Sequence, residues 1–217
     1  MTLQDASIQS AQIANIPFGT LFSEEELRYA ILDKGKIGKV LERALGLRNG
    51  PSNKDFIDGE LKTNKCKPNG EPMETIAITQ ISSHIEELIA NKPFKDTWLY
   101  EKISNILYVP VCREGMIKDW FFFPSLHIDL TDPRFAKILN QLEEDYNLIC
   151  TAIRKYCEEG KTLSTINGKY IQIRTKDSCP YHPIYSTSYG RNISDKNRAF
   201  YFKKEFILAI REVILWQ

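Results

Sequence analysis

Apolar and polar residues alternate along the chain with helical spacing in some segments and with strand-like spacing in others. Ser23 precedes three glutamates, which favours a helix start because the serine can cap the helix and acids suit its first turn. Apolar residues recur every three or four positions from Ile37 to Leu45, and Gly46 is placed to end that helix. Helices are predicted over residues 23–32, 37–46, 98–107, 133–157 and 204–216, of which 133–157 is the longest.

Strand-like runs lie between these helices. Residues 55–63 and the β-rich run 75–81 flank a turn at 68–70, so they are expected to form one hairpin. Further strands are predicted over residues 108–112, 169–174 and 199–202. The polar, Tyr-, Pro- and Ser-rich segment 175–198 is expected to be a loop, too long for a simple connection and therefore a candidate functional element. This mixture of elements predicts an α/β fold.

Length and composition narrow the class of protein. A chain of 217 residues with 42% hydrophobic and 26% charged residues is typical of one globular domain. It contains no apolar run of the roughly 18 residues that a membrane span needs, and its N-terminus lacks a secretion signal, so a cytoplasmic protein is expected. The cysteines are odd in number and form no Cys-x-x-Cys pair, which predicts reduced packing residues. They are Cys66, Cys112, Cys150, Cys157 and Cys179.

Charge is distributed unevenly along the chain although the net charge is only +1. Residues 154–217 carry a net charge of +6, whereas the remainder carries −5. This distribution of charge would suit a protein that binds phosphates through one face and binds a cation through acidic residues elsewhere. An uneven but solvated surface charge explains it equally well.

The segment from Asp55 to Lys62 carries the candidate chemistry. Successive strand residues point to opposite faces, so Glu60 and Lys62 share one face and Leu61 points to the other. Asp55 lies just upstream, and Asp58 is a rival carboxylate because it would share the face of Glu60. Two carboxylates suit Mg²⁺, for which Mn²⁺ is expected to substitute, and a lysine could orient or deprotonate a water or steady a phosphate. Acid and lysine also alternate on many solvated strand faces, so this spacing alone does not identify a nuclease.

Several collinear stretches together are more specific. They are residues 33–42, 55–56, 60–63, 70–75, 102–110, 170–176 and 199–204. On these stretches the chain resembles the MutH family, which contains a mismatch-repair endonuclease and related type II restriction endonucleases. The resemblance implies a restriction-endonuclease-like fold, with a mixed central sheet flanked by helices and two lobes around a DNA cleft. The catalytic lobe is expected over about residues 1–107 and the DNA-recognition lobe over about 108–217 of a single endonuclease domain.

The resemblance also implies roles for individual residues. Asp55 and Glu60 would bind Mg²⁺, and Lys62 would be the catalytic lysine. Glu42 would add a carboxylate near the metal and Lys102 would approach the scissile strand, although a helix-surface acid and a solvated lysine are the alternatives. The family has a longer insertion between its aspartate and its Glu-x-Lys, whereas four residues intervene here.

DNA recognition is likewise implied by the resemblance. The segment matching residues 172–176 enters the major groove in the family, where Arg174 and Lys176 could donate to guanine. Tyr201 matches a tyrosine near the adenine whose methylation is sensed, although a tyrosine in an aromatic strand is as often a core residue. Thr175 stands where MutH-like sequences carry proline. The lysines expected to hold phosphates are Lys34, Lys203 and Lys204.

The resulting prediction is a type II restriction endonuclease that cuts both strands at a GATC-like site and leaves 5′-phosphates. The nearest alternative is a methylation-directed mismatch-repair nicking endonuclease activated by a partner protein, and both would use the same site. More distant alternatives are a non-catalytic DNA-binding module and a nonspecific nuclease of the same fold. The expected partners are double-stranded DNA, bound by a monomer or homodimer, and a cognate DNA methyltransferase that forms no stable complex.

Overall fold

The computed structural model describes residues 1–31, 36–47, 54–176 and 180–215. The chain divides into two compact units, each built from two separate stretches. Unit 1 contains Met1–Glu74 and Ser104–Asp129, and unit 2 contains Thr75–Ile103 and Leu130–Gln217. Residues 104–129 belong to the first unit, and the lobes expected over about residues 1–107 and 108–217 stay a prediction.

The described residues form the following α-helices: α1 Leu3–Ile13, α2 Phe18–Leu21, α3 Glu24–Ile31, α4 Lys36–Ala44, α5 Ile85–Ile89, α6 Trp98–Ile103, α7 Ala136–Glu158 and α8 Lys204–Leu215. The strands are β1 Glu60–Lys62, β2 Lys65–Cys66, β3 Ile76–Gln80, β4 Asn105–Tyr108, β5 Val111–Cys112, β6 Phe121–Phe122, β7 Leu126–Asp129, β8 Ile166–Asn167, β9 Ile171–Thr175, β10 Ile184–Ser186, β11 Arg191–Ser194 and β12 Arg198–Phe202. The α/β class is therefore confirmed. None of these helices combines the length and apolar character needed to cross a membrane.

Unit 1 contains two small mixed sheets. In the first, β1 runs parallel to β4, and β4 pairs antiparallel with β7. In the second, β2 runs parallel to β5, which pairs antiparallel with β6. Leu61 of β1 and its partner Leu107 pack into a hydrophobic core with Leu3 of α1 and Leu41 of α4. This core fixes which face of β1 is apolar.

Unit 2 is built around a four-stranded sheet in the order β3, β12, β9, β8, whose pairs are antiparallel. Helix α7 contacts this sheet through β8 and β9. The buried Asp145 of α7 accepts the backbone N–H groups of Lys169, at 2.8 Å, and Ile171, at 3.0 Å. It also accepts the N–H of Tyr170. One helix carboxylate thereby holds the turn that leads into β9.

Four of the predicted helices are confirmed, over residues 23–32, 37–46, 133–157 and 204–216, except that residues 32 and 216 lie outside the described ones. Ser23 does act at the start of α3, where its hydroxyl accepts the N–H of Glu26 at 3.4 Å and its own N–H donates to the Glu26 carboxylate at 2.9 Å. Gly46 follows α4 with a φ of 66°. Four of the cysteines are free and buried as predicted, namely Cys66, Cys112, Cys150 and Cys157, while Cys179 lies outside the described residues.

Three local predictions are wrong. The helix expected over 98–107 ends at Ile103, and β4 follows, because its residues 106–108 are all buried between two neighbouring strands. The hairpin expected from 55–63 and 75–81 does not form, since β1 pairs with β4 and β3 pairs with β12. The segment expected to be a loop over 175–198 contains the antiparallel pair β10 and β11.

Candidate active site

Glu60 and Lys62 lie on the face of β1 opposite the core. Lys62 Nζ lies 2.8 Å from Glu60 Oε2, and the two side chains are only 13% and 6% exposed. Leu61, between them, belongs to the hydrophobic core of unit 1. The strand therefore places an acid and a base together in a largely desolvated position, as the alternation of side chains predicts.

Asp55 joins this pair through the backbone of β1. Its Oδ2 accepts the N–H of Leu61 at 2.9 Å. Gly59 allows this approach of the chain to the sheet, because a Cβ at that position would lie 2.6 Å from the carbonyl oxygen of Asn105. Phe56 is buried and its N–H donates to Gly59 O at 3.0 Å, so the short segment before β1 is a closed turn.

The electrostatics of Asp55 indicate how closely the groups converge. Desolvation by the surrounding protein raises the pKa of the Asp55 carboxyl, and the positive charge of Lys62 lowers that pKa in part. The charge of Glu60 and a hydrogen bond between the two carboxyl groups raise it further. Asp55 therefore feels the charges of both Glu60 and Lys62, and its Oδ2 is held at the N–H of Leu61 between them.

Glu42 supplies a further carboxylate from helix α4. The buried face of this helix contains Ile37, Val40 and Leu41, and Glu42 is only partly exposed. Desolvation raises the pKa of Glu42, and the charge of Asp55 raises it further, while Lys39 and Lys62 oppose this shift. Glu42 thus lies within electrostatic range of both Asp55 and Lys62.

Asp58, the rival carboxylate, lies in a different environment. Its Oδ1 accepts the N–H of Leu3 at 2.8 Å, in the first turn of α1. Its backbone oxygen accepts the side-chain amide of Asn105 at 2.8 Å. A carboxylate at a helix N-terminus is a stabilising arrangement, so Asp58 has a structural role there.

The donor set is compatible with a hard divalent cation. Within the described ranges, no three His, Cys, Asp or Glu side chains are grouped closely enough to hold a metal ion by themselves. Mg²⁺ usually takes one or two carboxylates and completes its octahedron with waters and substrate phosphate oxygens. The paired carboxyls of Asp55 and Glu60 match that requirement, and their mutual repulsion is what a cation would offset.

Asn64 is a supporting residue that the sequence alone did not reveal. It is buried, its Oδ1 accepts the hydroxyl of Tyr108 at 2.5 Å, and its Nδ2 donates to Glu74 O at 2.9 Å. Since Tyr108 is the β4 partner of Lys62, this network links the end of β1 to the strand that pairs with it. Its position in the sequence could have indicated this role, because Asn64 continues the every-second-residue spacing of Glu60 and Lys62.

The residues expected to read DNA lie in unit 2. The guanidinium carbon of Arg174 lies 4.3 Å from the ring centroid of Tyr201, across the paired strands β9 and β12. Arg174 is exposed, whereas Tyr201 is 8% exposed, so Arg174 covers a ring that is otherwise part of the sheet. Lys176 follows the end of β9 and is partly exposed.

The remaining predicted lysines are placed differently. Lys203 Nζ donates to Gly168 O at 3.0 Å, and Lys204 is exposed at the start of α8. Lys102 lies in α6 of unit 2, whereas Glu60 and Lys62 lie in unit 1. Lys34 lies outside the described residues.

Comparison with known proteins supports the predicted resemblance. No family model matches the chain. The DNA mismatch repair protein MutH of Haemophilus influenzae strain 86-028NP is 28% identical over 234 residues, covering 99% of this chain and 96% of the relative. MutH of Haemophilus ducreyi is 30% identical over 198 residues, covering 85% of this chain and 80% of the relative. The chain belongs to the MutH family. In this MutH-family protein, Glu60 and Lys62 pair on β1, and Asp55, upstream of the strand, accepts the N–H of Leu61 between them.

Proposed function

We propose that this MutH-family protein is a Mg²⁺-dependent DNA endonuclease that hydrolyses phosphodiester bonds of duplex DNA and leaves 5′-phosphates. The observation that carries the proposal is the placement of three side chains: Lys62 Nζ lies 2.8 Å from Glu60 Oε2, and Asp55 Oδ2 lies 2.9 Å from the N–H of Leu61 between them. A sheltered pair of carboxylates beside an ammonium group suits a reaction in which negative charge develops on a phosphate. The fold expected for such an enzyme is the restriction-endonuclease-like α/β fold.

The roles of the side chains follow from their positions. Asp55 and Glu60 would hold Mg²⁺, or Mn²⁺ in its place, which when bound supplies Lewis-acid stabilisation of the phosphate and activation of a water. The N–H of Leu61 orients the Asp55 carboxylate at 2.9 Å. Lys62 donates to a phosphate oxygen or orients the attacking water, and Glu42 adds negative charge near the cation. Lys102 is assigned to the scissile strand.

The DNA contacts are assigned to the basic C-terminal third. Arg174 and Lys176 would donate to base edges, and Tyr201, covered by Arg174, would lie near a methyl-bearing adenine. Lys34, Lys203 and Lys204 would contact phosphates. We expect the reaction to take place in the cytoplasm, on DNA bound by a monomer or a homodimer.

The choice between restriction and repair concerns the mode of cutting. The relatives are named mismatch repair proteins, and the Haemophilus influenzae protein is matched over 96% of its length, which favours a methylation-directed nicking enzyme. A restriction enzyme that cuts both strands at a GATC-like site, with a cognate methyltransferase in the same system, is the second candidate. Both candidates use the same catalytic residues.

Plasmid cleavage tests the proposal and separates the two modes. Supercoiled plasmid, with and without adenine methylation at GATC, is incubated with the protein and Mg²⁺, and the product ends are sequenced. Linear product from the protein alone indicates restriction, whereas nicked product that requires an added repair partner indicates mismatch repair. Lys62→Ala should abolish cutting, and Lys67→Ala, an exposed lysine of the same unit, serves as the matched control. If Lys62→Ala cuts as wild type does, the assignment of the active site is wrong.

A further inference from the structure

A buried asparagine of unit 2 joins three backbone points around the end of β9. Asn197 is 6% exposed and immediately precedes β12. Its backbone oxygen accepts the N–H of Lys176 at 2.9 Å, its Oδ1 accepts the N–H of His182 at 3.1 Å, and its Nδ2 donates to Pro180 O at 3.4 Å. We call these bonds the Asn197 clamp. Since one residue holds both ends of the connection that follows β9, the positions of Lys176 and residues 180–182 are coupled.

The chain around Asn197 is itself fixed. Ser194 is buried, and its hydroxyl donates to Lys196 O at 2.8 Å. Ser194 Oγ also accepts the N–H of Lys196 at 3.4 Å and the Nε–H of Arg198 at 3.2 Å. The side chain of Lys196 is exposed, but its backbone is fixed by these hydrogen bonds.

The Asn197 clamp presents an aromatic ring and a cation side by side. Tyr181 lies between the clamped residues Pro180 and His182 and is 41% exposed. Lys196 Nζ lies 5.6 Å from the centroid of its ring. A ring that can contact bases or sugars, next to an ammonium that can contact phosphate, is a chemistry suited to nucleic acid. Both residues belong to the part of the chain with a net charge of +6.

We propose that Tyr181 is a further DNA-contacting residue that contributes to sequence specificity, that Lys196 contacts an adjacent phosphate, and that Asn197 is the residue that positions both relative to Lys176. The ligand is duplex DNA, so this inference rests on the proposed function. The contact of Tyr181 is made by its ring rather than by its hydroxyl, because the ring is the part that lies beside Lys196.

Equilibrium binding tests the role of Tyr181. The probe is a duplex that carries the cut site identified from the sequenced ends of the wild-type product, together with a copy in which one base pair is substituted. Tyr181→Ala is expected to bind the first duplex about tenfold more weakly, and Tyr181→Phe within about twofold of wild type. Tyr185→Ala, at a 54% exposed tyrosine of the same unit, is the matched control and should bind normally. Wild-type affinity in Tyr181→Ala overturns the inference.

The positioning role of Asn197 is tested by how well the protein distinguishes the two duplexes, and not only by its cleavage rate on one of them. If Asn197 positions the DNA-contacting pair, Asn197→Ala and Asn197→Asp should lower the ratio of cleavage rates on the two duplexes by about tenfold. A purely structural role would lower the Tm and slow both duplexes equally, and an unchanged ratio overturns the positioning role. If Asn197→Ala does not fold, Asn197→Asp decides, because it keeps the acceptor of the His182 N–H and loses only the donor to Pro180 O.

Failure of the proposed function and failure of the Tyr181 assignment give different experimental results. If the wild-type protein neither binds nor cuts duplex DNA, the proposed function and this inference fall together. If it cuts, but Tyr181→Ala and the Tyr185→Ala control bind alike, only the inference falls.

Discussion

Removal of the ammonium group of Lys62 is expected to affect both stability and catalysis. Lys62 Nζ lies 2.8 Å from Glu60 Oε2, with side-chain exposures of 13% and 6%. Loss of one partner of a pair this buried removes the cation that faces the Glu60 carboxylate and costs about 3 kcal/mol. For a chain of this size, that loss lowers the Tm by about 6–12 °C. Lys62→Met is the suitable change because methionine keeps much of the apolar stem.

A pair at the surface of the same unit provides the control. Lys67 Nζ also lies 2.8 Å from its partner Glu71, but those side chains are 50% and 45% exposed. Because solvent screens such a pair, Lys67→Met should cost less than about 1 kcal/mol. The N–O distance is the same in the two pairs, so the difference between the stability losses of Lys62→Met and Lys67→Met measures the effect of burial.

The assay is a double-mutant cycle by urea unfolding in EDTA, combined with plasmid cleavage in Mg²⁺. Lys62→Met with Glu60→Gln should recover only part of the lost stability, because the charge of Glu60 is removed together with the ammonium group while Asp55 and Glu42 still lose the positive charge of Lys62. Cleavage should fall about 10²- to 10³-fold in Lys62→Met and should not recover in the double variant. If Lys62→Met unfolds at the same urea concentration as wild type, the reasoning from burial is refuted.

Further predictions concern the metal, pH, the sheet and DNA. Mg²⁺ should raise the Tm of the wild-type protein but not that of Asp55→Asn, as measured by calorimetry. In EDTA, the raised pKa values of Asp55 and Glu42 cost stability as pH rises above about 4 through those pKa values, because the folded chain must then give up protons that it binds more tightly than the unfolded chain does. The double variant Asp55→Asn, Glu42→Gln should therefore gain stability over wild type as pH rises, and a pH-independent difference in urea midpoints would contradict this. Asp145→Ala should cost about 3 kcal/mol in urea unfolding, since it leaves three backbone N–H groups of the β9 turn without their acceptor. Arg174→Ala should weaken duplex binding by about tenfold in fluorescence anisotropy, and normal affinity would remove Arg174 from the DNA-contacting set.

The candidate site could be predicted from the sequence because it is largely local. Strand alternation places Glu60 and Lys62 on one face whatever the strand pairs with, and Asp55 is close along the chain. Which of Asp55 and Asp58 is the better candidate metal ligand depends on the fold, since the Asp58 carboxylate accepts the N–H of Leu3 at the start of α1. Sequence spacing alone could not reveal that contact.

Strand partners were less accessible to sequence reasoning. Residues 60–62 and 76–80 look like the two arms of a hairpin, but each pairs with a strand much further along the chain. Local pattern determines which face of a strand is apolar, whereas its neighbour is determined by tertiary packing. The hydrogen bonds of Asn64 and Asn197 could not be predicted for the same reason, because their partners are distant in sequence and are brought close only by tertiary packing.

The pairing of β3 has a consequence for biosynthesis. Ile76 of β3 pairs with Phe202 of β12, so the nascent chain exposes the apolar β3 edge until the ribosome has made almost the entire unit. At ordinary translation rates this interval lasts about 10 s. During that time β3 can associate with other newly made chains, so a chaperone that holds the nascent chain should increase the yield of folded protein.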